Sequence, residues 1–295
     1  MIGSNEKITY RNSNGLPPTV CIELTKWCNL KCSYCRSSSS PKEYLNGISF
    51  SEISSYLKEL KKYGDWRISL TGGEPTYWPN LKELIELIIE LDFSFCITTN
   101  GYSSNHLFEI ISFDQWKKGT LKVSIDGDLE VHNSLRGKKS YERALKFLLT
   151  ARGIVPRLFV NTVLVSDPKS WAKNILNDIG PIKLNNWTII SPIRSGAWIF
   201  ELEELNKINY SEQYMWIKQL VDKSIFDISV SFLDYAKWNN EYQGVVYISS
   251  DGNIAVPKYF IDDLNNIEIN ISDKNSAYNS YKSVSSFIEK NGFVK

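Results

Sequence analysis

Cys28, Cys32 and Cys35 stand within the eight residues Cys28-Asn29-Leu30-Lys31-Cys32-Ser33-Tyr34-Cys35. Thiols at that spacing can clip a metal ion or an iron–sulfur centre, or belong to a disulfide framework. The rest of the chain argues against disulfides. It has 295 residues and five cysteines, no apolar secretory stretch follows Met1, and no window of about 18 uninterrupted apolar residues occurs. The sequence therefore reads as a cytoplasmic protein without a membrane span, in which structural disulfides are not expected. Three thiolates can serve a cluster with one iron left open, whereas a closed zinc site wants a fourth ligand. Cys21 lies back in a strand-like run, and His106 and His132 lack metal-ligand spacing.

The elements that must position this loop follow from hydrophobic patterning. Strand-like runs span Thr19 to Thr25, Trp66 to Thr71, Phe93 to Thr99, Leu121 to Asp126, Arg157 to Val165 and Leu184 to Ser191. Between them, helical patterns span Ser51 to Tyr63 behind a Ser49 cap, Asn80 to Leu91, Tyr141 to Arg152 and Pro168 to Asp178, the last closed by Gly180. Six strand–helix units of this kind predict a parallel sheet curved or closed into an α/β barrel, with chemistry at the carboxyl ends of the strands. The cysteine loop follows the first strand directly, on that edge.

After Gly196 the order changes. A helix is expected near Ser211 to Lys223, strand-like material from Phe226 to Leu233, and a hairpin in which Val245 to Ser249 and Asn253 to Val256 flank Asp251-Gly252, a pair that favours a primed turn. The tail from Asn265 to Ser280 is loosely specified, with a last helix near Tyr281 to Glu289. The domain reading is an N-terminal segment over 1–18, the barrel over 19–200 and an extension over 201–295. A hydrophobic content of 42% supports a sizeable core, and a net charge of +1 gives no electrostatic argument for nucleic acid or an acidic membrane. Arg136, Lys138 and Lys139 read as a solvated loop.

With the scaffold in place, the motifs resemble the radical S-adenosylmethionine (radical SAM) enzymes. The run Cys28 to Cys35, with Tyr34 before its last cysteine, resembles the family signature. Gly72-Gly73-Glu74-Pro75 after the second strand resembles its GGEP segment, Thr99-Asn100-Gly101 its TNG, and Ser124-Ile125-Asp126-Gly127 with Arg136-Gly137 its fourth-strand block. The resemblance covers about residues 19 to 200. It implies a partial (β/α)6 TIM-like barrel, one [4Fe-4S] cluster on Cys28, Cys32 and Cys35, and SAM whose reductive cleavage yields a 5′-deoxyadenosyl radical that abstracts a substrate hydrogen atom.

For the SAM contacts, the glycines Gly72 and Gly73 leave backbone groups open to the methionyl amine. Glu74 either accepts from that ammonium or braces its own turn, with Pro75 beside it, and Tyr34 packs against adenine or covers the rim. Strand parity sets Cys21, Glu23 and Thr25 on one face, Cys96, Thr98 and Asn100 on another, and Lys122, Ser124 and Asp126 on a third. By resemblance, Ser124 and Arg136 meet the methionyl carboxylate, and Asp126 and Asn161 reach the ribose or the substrate. Asp126 has an alternative reading as a helix cap or turn residue ahead of Gly127. Ile190-Ser191-Pro192 lines the adenine. Cys21 and Cys96 read as small buried hydrophobes rather than hydrogen donors. Glu23 needs a partner, which is a substrate, SAM or a neighbouring lysine.

Tyr247 to Lys258 resembles the opening hairpin of the SPASM/twitch tail of peptide-modifying members, but Lys258 stands where that module's first cysteine follows proline. No cysteine follows Cys96, so the auxiliary clusters are not expected and the hairpin is read as structural, closing the barrel bottom or one side of the substrate cavity. The expected substrate is a ribosomal peptide, with electrons from a donor such as flavodoxin or ferredoxin. The alternatives are an isomerase, epimerase or dehydrogenase acting on a sugar, nucleotide or other small metabolite, or a non-catalytic metal-binding or electron-transfer protein. Residues Met1 to Pro18 are too short and polar for a leader-binding domain.

Overall fold

A computed structural model describes residues 18–192, 209–234, 245–255, 269–273 and 275–290. The expectations for 1–17, for Val256, Pro257 and Lys258 and for 265–268 lie outside the described residues. The chain packs into two units that interleave in sequence: Met1–Lys26, Tyr44–Cys96 and Glu241–Lys295 contribute to one, Trp27–Glu43 and Ile97–Asn240 to the other.

The first unit holds β1 (Thr19–Glu23), β2 (Arg67–Thr71), the start of β3 (Ser94–Thr99), β8 (Val245–Ile248), β9 (Asn253–Ala255) and β10 (Ile269–Asn270), in the order β10-β9-β8-β1-β2-β3. β1 is parallel to β2 on one side and to β8 on the other, whereas β9 runs antiparallel to both of its neighbours, β8 and β10. Period-two alternation sorts the faces. Val20, Ile22, Ile68, Leu70, Val246 and Ile248 are fully buried, while Cys21, Ser69, Thr71 and Tyr247 on the other face keep partial exposure.

Helix α1 (Phe50–Leu60) starts at a capping box in which Ser49 and Glu52 satisfy each other's backbone N–H groups. Helix α2 (Leu81–Glu90) buries Leu81, Leu84, Ile85, Leu87 and Ile88, one stripe at helical spacing. Helix α9 (Ser276–Lys290) meets α1, and Tyr56 donates its hydroxyl to Ser280 across that contact at 2.9 Å.

The hairpin forms where expected, but its turn is not primed. Only Gly252 takes a positive φ, at 84°. Gly252 N–H donates to Ser249 O and Ser249 N–H to Asn253 O, which makes a three-residue connection with glycine in the left-handed position. The sequence reading also missed that the hairpin's first strand joins β1 in parallel and lengthens the sheet.

In the second unit β4 (Gly119–Ser124), β5 (Leu158–Val163), β6 (Asn186–Ile190) and β7 (Ser229–Leu233) pair in that order, all parallel. The short α3 (Leu107–Ile110) and α4 (Phe113–Trp116) precede β4, and α5 (Leu129–Arg136) and α6 (Ser140–Ala151) lie between β4 and β5. Helices α7 (Ala172–Ile179) and α8 (Tyr210–Asp222) lead into β6 and β7. The six expected strands all form: β1 is shorter than expected at its end, β2 and β3 at their starts, and β5 and β6 at both ends, while β4 is shifted to begin at Gly119 and end at Ser124, and β7 adds a further parallel strand.

Candidate functional site

The cysteine loop lies in the second unit and is closed on itself. Trp27 bridges Ser40, Cys28 N–H donates to Ser40 O at 3.2 Å, and Cys35 N–H to Cys32 O at 3.3 Å. Ser33 N–H reaches Leu135 O at 3.3 Å and ties the loop to α5. Donors also point at sulfur: Leu30 N–H and Asn100 Nδ2 approach Cys28 Sγ at 3.4 and 3.6 Å, and Ser39 N–H approaches Cys35 Sγ at 3.3 Å. Such donors stabilise a thiolate, the form that binds iron.

Cys32 differs, since burial pushes its thiol up to about 11 against the opposing pull of Arg136. A metal binding there must displace the proton. Among the described residues no three His, Cys, Asp or Glu groups gather round one ion position. A [4Fe-4S] cluster does not ask for that, because each thiolate takes a different iron. The donor set, three thiols on one short loop with N–H groups directed at two of them, fits such a cluster.

Asp126 lies just past the end of β4, after Ile125, and has no exposed surface. Its Oδ2 accepts from both the Tyr34 hydroxyl and Arg136 Nε, its Oδ1 accepts from Val163 N–H at 2.8 Å, and its own N–H donates to His132 Nδ1 at 3.1 Å. Burial disfavours the charged carboxylate, but the Arg136 guanidinium outweighs it and holds the Asp126 carboxyl below the usual carboxylate range. Burial likewise drives the Tyr34 hydroxyl well up, and burial with Arg136 nearby drives His132 down to about 3, so the imidazole stays neutral. Arg136 is therefore not part of a solvated loop. Its side chain is 11% exposed and paired to a buried acid, whereas Lys138 and Lys139 are exposed.

Ser124 and Asn161 are register neighbours on β4 and β5 and share a face. The Oδ1 of Asn161 is buried without a hydrogen-bond partner among the described residues. An orphaned acceptor of that kind fits a ligand that supplies a hydroxyl or amine donor. Asn100 is partly committed: its Nδ2 donates to Asn29 Oδ1 at 2.9 Å as well as toward Cys28, and its Oδ1 accepts from Tyr102 N–H at 2.8 Å. Ser191, after β6, is buried and donates its hydroxyl to Asp234 at 3.0 Å.

The remaining candidates lie in the first unit. Gly72 has φ +144°, and a Cβ there would stand 2.6 Å from Thr25 O, so glycine is required where the ends of β1 and β2 meet. Gly73 N–H donates to that same Thr25 oxygen. Glu74 is 1% exposed, and its Oε1 accepts from Thr76 N–H and hydroxyl at 3.3 and 2.7 Å, capping the short helix Pro75–Tyr77. Cys96 is fully buried, in keeping with a small hydrophobe, while Cys21 keeps some exposure. Glu23 finds a tyrosine where a lysine was one expectation: Tyr247 on β8 donates its hydroxyl to Glu23 Oε2 at 3.0 Å.

The structure thus joins Asn100 to Cys28, Cys35 to Cys32, and Tyr34 and Arg136 to Asp126, and sets Ser124 beside Asn161. Sequence reasoning missed Asn29, His132 and Tyr247 as partners. Only Tyr247 left a usable trace, since alternation within Val245–Ile248 sets it on the polar face.

The family model of the Radical SAM superfamily matches residues 22–179. Among curated relatives, the GTP 3′,8-cyclase of Mannheimia succiniciproducens is 28% identical over 182 residues, 59% of this chain and 50% of that protein. The antilisterial bacteriocin subtilosin biosynthesis protein AlbA of Bacillus subtilis is 32% identical over 162 residues, 52% of this chain and 36% of that protein. The chain thus spans half or less of the length of these relatives. Among solved structures, Streptococcus suis SuiB bound to S-adenosylmethionine superposes with a TM-score of 0.68 at 18% identity, covering 90% of this chain and 66% of that one. SuiB has also been solved bound to its precursor peptide SuiA. That likeness shows the fold, the mixed α/β architecture of the TIM-like partial barrel. No described helix is long and apolar enough to cross a membrane.

Proposed function

The chain belongs to the radical SAM superfamily, whose members use a [4Fe-4S] cluster and SAM, and we propose that it is a peptide-modifying enzyme of that superfamily. When bound, the cluster and SAM would supply one-electron reductive cleavage of the sulfonium and, through the radical so formed, hydrogen-atom abstraction from the substrate. In this reading Cys28, Cys32 and Cys35 hold the cluster. The single observation that carries it is the self-closed cysteine loop, with N–H donors directed at the sulfurs of Cys28 and Cys35.

The other residues bind and orient. Asp126 clamps Tyr34, and with it the cysteine loop, to Arg136 of α5. That leaves the far edge of the Arg136 guanidinium for the methionyl carboxylate. Ser124 joins Arg136 at the methionyl carboxylate, and Asn161, whose Oδ1 has no hydrogen-bond partner among the described residues, reaches the ribose or the substrate. The family resemblance assigns the backbone of Gly72 to Pro75 to the methionyl amine, and Glu74 acts by holding that segment in its turn.

A peptide substrate is supported by the peptide-linked relatives, AlbA in bacteriocin biosynthesis and SuiB with its precursor peptide. The electron donor is a flavodoxin or ferredoxin and the setting is cytoplasmic. Anaerobic reconstitution should give a brown protein with about four irons per chain. With SAM and dithionite it should release 5′-deoxyadenosine, and Cys32→Ala should abolish that release. A colourless wild-type protein that releases none would refute the assignment.

A further inference from the structure

Glu23 is 3% exposed and sits on the polar face of β1, in the first unit. Tyr247 donates to its Oε2 at 3.0 Å, while its Oε1 is buried with no hydrogen-bond partner among the described residues. A carboxyl group removed from water with one neutral donor and one bare oxygen is costly unless something else supplies the missing donor. Register shows what surrounds it. Thr71 of β2 pairs with Glu23, and Ser69 of β2 and Tyr247 of β8 both pair with Cys21, so all four side chains stand with Glu23 on one face of three adjacent parallel strands. Ser69 and Thr71 are half-exposed, and neither hydroxyl has a hydrogen-bond partner among the described residues.

Resting on the radical chemistry proposed above, we propose that Glu23, Ser69 and Thr71 form a substrate-recognition site for a primary ammonium group, held in place by Tyr247. The stereochemistry favours ammonium over guanidinium. A bidentate guanidinium wants both carboxylate oxygens in its plane, and here one is already engaged by the phenol. An ammonium offers three donors from a single point, one for Oε1 and two for the hydroxyl oxygens of Ser69 and Thr71. A bound cation also offsets the desolvation of the acid, which a neutral amide or water does only in part. Tyr247 acts by positioning. It belongs to the hairpin that carries no cysteine, so the strand added alongside β1 has a role in substrate recognition that needs no metal.

The test uses the full chain loaded with cluster and saturated with SAM, titrated by calorimetry with n-pentylammonium and separately with neutral 1-pentanol. The ammonium should bind at least tenfold more tightly than the alcohol. Glu23→Gln should erase that preference, and Thr71→Val should weaken ammonium binding about threefold, which decides the matter even if the Glu23 variant does not fold. Equal affinity of the two probes for the wild-type chain would overturn the proposal and leave the orphan oxygen to a water molecule. Loss of ammonium binding when SAM is added to the SAM-free chain would also overturn it, by assigning the site to SAM's own methionyl ammonium. Failure of the radical reading shows separately, as no 5′-deoxyadenosine from the wild-type chain with dithionite and no probe present.

Discussion

The Tyr34 hydroxyl and Arg136 Nε donate to the same oxygen of Asp126, joining a cysteine-loop residue to a helix residue through a fully buried acid. The link spans 92 positions of sequence between Tyr34 and Asp126. It has a mechanical consequence, because the loop that presents the thiols cannot shift without breaking a charge-assisted contact. Removing the acid leaves Arg136 buried without its counter-charge, which costs about 3–5 kcal/mol. Asp126→Ala should therefore lower the unfolding free energy by about that amount in urea titrations. Tyr34→Phe removes one donor and should cost about 1–2 kcal/mol. Equal losses for the two variants would show that the ion pair is not the anchor.

Gly72→Ala tests whether the glycine serves the fold, beside the role in SAM binding proposed for it. An alanine Cβ would meet Thr25 O at 2.6 Å in a backbone region that alanine rarely adopts. The variant should be destabilised by about 1–3 kcal/mol in the chain without cluster or SAM. A variant with unchanged apo stability that fails only in SAM binding would assign Gly72 to the ligand alone.

His132 gives a pH dependence with a definite sign. Burial and Arg136 hold its pKa in the fold at about 3, against about 6.5 in the unfolded chain. The unfolded chain therefore takes up a proton that the folded chain refuses. The contribution of neutral His132 is fully present above pH 6.5 and is lost as the pH falls toward 3. Well below pH 6.5 this group alone should steepen the loss toward about 1.4 kcal/mol per pH unit. His132→Gln should flatten the stability profile between pH 6.5 and 5, measured by denaturant titration of the chain without cluster. An unchanged slope would mean that the imidazole is protonated in the fold.

How far these relationships could be read from sequence depends on whether they are local. The capping box of Ser49 and Glu52, the strands around Ile22, Leu70 and Val160 and the position of the cysteine loop all follow from spacing within a few residues. Asp126 shows the limit. Its motif marks it as important, but its ties to Tyr34, Val163 and His132 depend on the parallel pairing of β4 with β5 and the docking of α5, which no local pattern encodes. Tyr247 is a second case. Hairpin chemistry predicts its strand, but only the pairing of β8 with β1 sets its hydroxyl against Glu23. The turn at Asp251-Gly252 failed for a smaller reason, since the dipeptide is compatible with several turns and the count of connecting residues chose among them.

Asn100 offers a test that reports on the cluster itself. Its side-chain N–H approaches Cys28 Sγ at 3.6 Å and is oriented by Asn29 and Tyr102 N–H. A donor on a ligating sulfur stabilises the more negative, reduced state of the cluster, so its removal should make reduction harder. Asn100→Leu keeps a similar volume and removes that donor. In EPR-monitored titrations its reconstituted cluster should show a reduction potential tens of millivolts lower than wild type, an order of magnitude set by hydrogen bonding to cluster sulfurs. Because electron delivery precedes SAM cleavage, 5′-deoxyadenosine release should slow with a weak reductant and recover with a stronger one. A role confined to SAM contact would instead leave the potential of the SAM-free cluster unchanged and raise the SAM concentration needed for half-maximal release, with no rescue by the reductant.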